Sequence, residues 1–156
     1  MQKITPCLWF DDQAQEAAEF YTSVVPGSRI VEIRRYGEAG PRPAGMVMTV
    51  EFELAGQRFL ALNGGPDFTF NEAISLSVDC ASQEEVDELW SALGAGGSEG
   101  PCGWLKDKYG VSWQIVPRAL PELLGDPDPV KSQRVMRAML GMKKIDIQEL
   151  VDAYEG

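Results

Sequence analysis

The order strand, helix, strands occurs twice in this chain, and that repetition limits its fold more than any other feature. The first copy opens with an extended stretch over residues 4–10. Asp11-Asp12 then starts a helix whose apolar residues, Ala14, Ala17, Ala18, Tyr21, Val24 and Val25, recur at helical spacing. Pro26-Gly27 stops it. Strands are predicted over 28–36, 46–54 and 57–63, parted by a Pro/Gly-rich loop and an Ala55-Gly56 turn. The middle one alternates, with Met48, Val50, Phe52 and Leu54 apolar and Thr49, Glu51 and Glu53 polar. Gly64-Gly65-Pro66 closes the copy.

The second copy begins with a strand over 73–78, where Ile74, Leu76 and Val78 oppose Ser75 and Ser77. Ser82 with Glu85 three residues on predicts a boxed helix start. That helix buries Val86, Leu89, Trp90 and Leu93 and ends at Gly94. A glycine-rich loop, a strand over 102–106, a turn at Lys108-Tyr109-Gly110 and a strand over 111–116 complete the copy. A shift of about 68 places lays Pro6, Leu8, Phe10 and Asp11 on Ile74, Leu76, Val78 and Asp79. The remainder differs. Asp128-Pro129 starts a helix with Val135, Met136, Met139 and Leu140 as its apolar stripe. Asp146 with Glu149 caps a last helix that buries Leu150, Val151 and Tyr154. The expected organisation is one module over 1–66, a second over 67–118 and a helical extension over 119–156.

Composition narrows the function. A chain of 156 residues, 44% of them hydrophobic, can bury a core without disulfides. Its three cysteines, Cys7, Cys80 and Cys102, cannot all pair and form no CxxC, so reduced thiols and a cytoplasmic location are expected. The opening residues have no extended apolar run after Lys3, and no stretch reads as a membrane span or a signal peptide. A net charge of −10 argues against nucleic acid and anionic membrane as partners. There is no histidine, which removes His-based triads and His metal ligands and leaves acid–base work to carboxylates, Cys, Tyr or Lys.

Four segments together carry a resemblance: Leu8-Trp9-Phe10-Asp11, Leu62-Asn63-Gly64-Gly65-Pro66, Cys102-Gly103-Trp104-Leu105-Lys106-Asp107 and Ser112-Trp113-Gln114-Ile115-Val116-Pro117. They resemble the PhnB-like branch of the vicinal oxygen chelate superfamily, relatives of glyoxalase I and bleomycin-resistance proteins. The resemblance is read over nearly the whole chain, the tail from Met136 to Tyr154 included. It implies a glyoxalase-like α+β fold: two βαβββ modules forming a curved mixed sheet around a cleft, plus C-terminal helices, in a homodimer. Proteins of this branch often carry a demethylubiquinone methyltransferase label. The sequence does not support such a cofactor site. The sole glycine-rich candidate turn, Gly37-Glu38-Ala39-Gly40, runs into Pro41 and Pro43 and then a strand, where a helix is required.

The resemblance also implies four metal-ligand positions. They fall on Thr5 or Cys7, on Ala61 with Asn63 beside it, on Ala73 or Ser75, and on Gln114. Alternation, taken alone, turns Leu60, Leu62, Ile74, Leu76, Trp113 and Ile115 toward the helices and Ala61, Asn63, Ser75, Ser77 and Gln114 toward the cleft. Neutral side chains of this kind make a poor divalent-ion site, so no metal and no cofactor are expected. The expected cleft comprises Thr5, Cys7, Trp9, Thr49, Glu51, Ala61, Asn63, Ser75, Ser77, Cys102, Trp104 and Gln114. Within it Trp9, Asn63, Trp104 and Gln114 should meet around one ligand.

The leading functional reading is a metal-free small-molecule-binding protein for a neutral or cationic, partly aromatic ligand. Two alternatives stand beside it. One is a superfamily enzyme of lyase or oxygenase type, with unusual metal ligands or Glu51 as base. The other is an interaction module acting through the C-terminal helices. Cys102 reads as a small buried thiol more than as a nucleophile.

Overall fold

A computed structural model describes residues 2–156 and divides the chain into two compact units, one ending at Phe70 and the other formed by Asn71–Gly156. The first unit runs β1 (Cys7–Phe10), α1 (Ala14–Val24), β2 (Arg29–Arg35), β3 (Val47–Leu54) and β4 (Gln57–Asn63). Its sheet has the order β1-β4-β3-β2, with β1 parallel to β4 and the other pairs antiparallel. The second unit repeats this plan: β5 (Ser75–Cys80), α2 (Gln83–Gly94), β6 (Ser98–Glu99), β7 (Trp104–Lys106) and β8 (Ser112–Pro117) give the order β5-β8-β7-β6, with β5 parallel to β8. The fold is α+β, two four-stranded mixed sheets of βαβββ type, each with one crossover helix, and three helices follow. No helix among the described residues is long and apolar enough to cross a membrane.

In the first unit α1 turns Ala14, Ala17, Ala18 and Tyr21 into the core, against Leu8, Phe10, Val50, Phe52, Phe59 and Ala61. Alanines along this stripe leave the helix close to the sheet. Here the alternation expected for β4 is inverted. Phe59, Ala61 and Asn63 are buried on the helix side, while Leu60 and Leu62 stand half-buried on the other face. The reason lies at the start of α1, where Gln13 makes no side-chain cap. Asn63 supplies it: its Oδ1 accepts the Ala14 N–H at 2.8 Å, and its Nδ2 donates to the Val47 carbonyl at 3.0 Å. The Tyr36 hydroxyl adds a 2.6 Å hydrogen bond to the Asn63 carbonyl. An amide able to satisfy two backbone groups at once belongs inside, so Ala61 and Asn63 do not face a cleft.

In the second unit Val86, Leu89, Trp90 and Leu93 form the buried side of α2, as their spacing predicts. Ser82 accepts the Glu85 N–H at 3.2 Å, and Glu85 returns a bond to the Ala81 N–H. The strand expected from residue 73 starts instead at Ser75. Asn71 Oδ1 accepts the Ala73 N–H in a local turn, and Ile74 is 61% exposed. Asp107 is buried and organises the turn between β7 and β8. Its carboxylate accepts the N–H groups of Tyr109 and Val111 and the Trp113 indole N–H.

The extension comprises α3 (Ala119–Leu124), α4 (Pro129–Leu140) and α5 (Ile147–Glu155). Asp128 and Asp146 accept the Val130 and Glu149 N–H groups as expected of caps. Leu120, Val135, Met142, Ile145 and Leu150 form its core, with Met139 and Tyr154 packed against them. Leu140, expected in the apolar stripe, is 61% exposed. The packed side of α4 runs through Val135, Ala138 and Met139 and on to Met142, and Leu140 lies round the helix from it.

Candidate ligand site on the second sheet

Strand pairing decides which side chains share a face. Trp104 lies opposite Gln114 and Lys106 opposite Ser112; across β5, Ser77 and Ser75 oppose the same two residues. Ser98 opposes Lys106. Period-two alternation therefore sets these seven on one face, while Leu105, Trp113 and Ile115 are buried on the α2 side.

A pocket of about 380 Å³ opens on that face. Trp104, Leu105 and Lys106 of β7, Ser112 of β8, the Ser98-Glu99-Gly100-Pro101 stretch and Glu72 line it. Ser112 is 1% exposed, and its Oγ has no hydrogen-bond partner. A buried hydroxyl left unpaired loses its hydration without return. Trp104 shows a related feature. The indole N–H of Trp9 donates to Gly65 O at 2.9 Å, that of Trp90 to Glu99 at 2.6 Å and that of Trp113 to Asp107 at 2.9 Å. Trp104 alone of the four has no such bond among the described residues. At the rim the Lys106 ammonium pairs with Glu72 and holds that carboxyl below its ordinary range.

Of the residues expected in the cleft, Trp104 lines this pocket. Gln114 and Ser75 share its face and bond to one another at 2.9 Å; Ser77 stands exposed beside them. Cys102 is neither in a strand nor buried. It occupies a turn with a φ of 57°, half-exposed and outside the lining. Ser112, Lys106 and Glu72 were not anticipated. Ser112 has the parity of Gln114 and was within reach of the same argument; Glu72 precedes β5 and gave no periodic signal.

The remaining expected residues belong to the first unit. Cys7, Trp9, Thr49 and Glu51 do share the sheet face away from α1, with Leu60 and Leu62, and Thr5 is exposed ahead of β1. Trp9 is fixed there. Its ring covers Gly64, where an added Cβ would come within 2.3 Å of it, and it makes a T-shaped contact with Phe68, ring centres 4.9 Å apart. This explains the Trp9…Gly64-Gly65 pattern as packing. Glu51 is engaged by Arg58 at 2.9 Å, and Glu53 is bonded to Arg29 and Arg58. Those guanidinium groups, Arg29 first, hold the Glu53 carboxyl below its ordinary range. A charge ladder of this kind fits a solvated sheet face better than a catalytic base.

The metal implied by the superfamily does not fit the residues present. Ala61 faces α1, Gln114 is committed to Ser75, and among the described residues no three His, Cys, Asp or Glu side chains stand together. A methyl-donor cofactor fits no better. Gly37–Gly40 forms a closed turn, with the Gly40 N–H on Gly37 O and the Gly45 N–H on Tyr36 O, and leads into β3 without a helix.

Two βαβββ sheets of this topology in one chain define a glyoxalase-like fold. Among solved structures the chain is similar to a PhnB protein from Bacillus cereus, described as a candidate 3-demethylubiquinone-9 3-methyltransferase: 41% identity, TM-score 0.67, covering 74% of this chain and 99% of that one. Protein PA1353 from Pseudomonas aeruginosa shares 23% identity at TM-score 0.62, covering 75% and 98%. The fosfomycin resistance protein FosX from Listeria monocytogenes shares the fold at 15% identity and TM-score 0.53, covering 78% and 97%. A comparison with curated proteins finds no match. The family model described as 3-demethylubiquinone-9 3-methyltransferase matches residues 2–116. The chain belongs to that PhnB-like family. The match stops short of the C-terminal helices.

Proposed function

We propose that this chain is a small-molecule-binding protein whose ligand sits on the open face of the second sheet, against Trp104 and over Ser112. The observation that carries this reading is the coincidence of two unpaired polar groups, the buried Ser112 hydroxyl and the Trp104 indole N–H, on one pocket. A ligand that presents a flat ring to Trp104 and a hydrogen-bonding atom to Ser112 satisfies both. The volume, at the low end for ligand pockets, suits a compound of two or three fused rings. With Glu72 and Lys106 paired at the rim and a net charge of −10 on the chain, a neutral or cationic compound is favoured.

A thermal-shift and fluorescence screen led by proflavine, a flat aromatic cation with N–H donors, tests this. Trp104→Ala is expected to weaken hits by about tenfold and Ser112→Ala by about threefold to tenfold, the loss of one ring contact and one hydrogen bond. Hits that bind both variants as tightly as the parent would sink the assignment.

The protein is further proposed to act as a homodimer. Both sheets end in open edge strands, which association would cover. Light scattering should give about twice the 17.1 kDa chain mass; a monomer at micromolar concentration would contradict it.

A further inference from the structure

We propose that the connector between α4 and α5, beyond the part of the chain matched by the family model, sets the wall of this pocket, and that Ile145 is its positioning residue. The inference rests on the pocket being the ligand site. Gly100, Pro101 and Trp104 line it and form one closed turn: the Gly100 N–H donates to Trp104 O at 2.8 Å, and the Trp104 N–H to Pro101 O at 3.0 Å. Between them Cys102 and Gly103 both hold positive φ, 57° and 83°. Gly103 takes this conformation freely, but Cys102, which carries a Cβ, keeps it only where its surroundings hold it.

The hold comes from the extension. The Cys102 N–H donates to Met142 O at 2.8 Å and the Gly103 N–H to Lys143 O at 2.7 Å. Ile145 packs on Gly103, its Cγ1 3.1 Å from where a Cβ would be, and Ile115 O lies 2.9 Å from the same point. No side chain but hydrogen fits there. The connector is itself anchored to α2: Gln83 donates to Ile145 O at 3.0 Å and accepts the Ile147 N–H at 2.7 Å, and Lys144 pairs with Asp87 at 2.9 Å. Without these residues the 102 and 103 N–H groups lose their acceptors, and the Pro101–Trp104 wall loses its backing. The extension therefore determines which ring shapes the pocket admits, and it does so without lining the pocket.

The test compares Ile145→Ala, Ile145→Val and a control, Leu150→Ala, which removes as much from the same helical core but is not among the groups nearest Gly103. Two readouts are taken on the full chain: amide exchange at Gly100 and Trp104, and proflavine affinity. Ile145→Ala is expected to speed exchange at both amides by about tenfold or more, with Ile145→Val in between and Leu150→Ala near the parent. Proflavine affinity should fall in the same order, by about fivefold for Ile145→Ala. Unchanged exchange at Gly100 and Trp104 in Ile145→Ala, or an equal change in Leu150→Ala, overturns the inference, as does faster exchange with unaltered proflavine affinity. Should Ile145→Ala not fold, Ile145→Val decides by the same comparison. Failure of the parent to bind proflavine, or undiminished binding by Trp104→Ala, counts against the pocket itself, while the exchange rates still judge the connector.

Discussion

Asn63 accepts the backbone N–H of Ala14 across 49 residues of sequence, so the end of β4 caps the start of α1. The same side chain reaches the Val47 carbonyl at 3.0 Å and is almost wholly buried. Asn63→Ala should therefore cost about 2–4 kcal/mol of stability, since two buried backbone groups lose their partner at once. Urea unfolding measures it. A loss under about 0.5 kcal/mol would show that water replaces the amide.

Stability should fall off at both ends of the pH scale, through groups that can be named. The Glu53 carboxyl is held low by Arg29 and Arg58, and the Asp126 carboxyl by the Tyr154 hydroxyl. Their folded values lie below the unfolded ones. The stabilisation is thus present above the ordinary carboxyl range and is lost as pH falls through the folded values. Tyr154 is the opposite case. Its bond to Asp126 at 2.7 Å raises its value above 10.0, so its contribution is complete below that pH and is lost as pH rises through the folded value. Urea midpoints against pH for the parent and Tyr154→Phe should diverge below the alkaline limb and converge above it. Superimposable profiles would exclude the bond as a contributor.

Ser112→Ala should separate stability from binding. In the unliganded protein it removes a buried hydroxyl without a partner, so it is expected to leave stability unchanged or to raise it by about 1 kcal/mol. Ligands that bond to the hydroxyl should bind more weakly. Destabilisation by more than about 1 kcal/mol would mean that the hydroxyl is satisfied in the free protein, by water, and is not held in reserve for a ligand.

The repeat, the helix faces and the caps at Ser82, Asp128 and Asp146 were legible because they depend on local spacing. The open face of the second sheet was legible for Ser75, Trp104 and Gln114, where apolar and polar residues alternate cleanly about Trp113 and Ile115. It failed in β4. There Leu60 and Leu62 look like core and Asn63 looks exposed, and a cap supplied from 49 residues away leaves no local trace. β6, two residues long, and the turn through Cys102 and Gly103 were hidden for a related reason: the hydrogen bonds that fix that turn come from Met142 and Lys143. Ser112 was open to the same period-two argument as Gln114. Glu72 joins the pocket from a turn, where no periodicity applies.

The ligand-site assignment is tested most directly by the four indole N–H signals in a proton–nitrogen correlation spectrum during a proflavine titration. Three of them are already bonded, to Gly65, Glu99 and Asp107. The account predicts that the Trp104 indole signal and the Ser112 amide move together with one dissociation constant while the Trp9 and Trp113 indoles stay in place. Saturable shifts at Trp9 with Trp104 unmoved would contradict it.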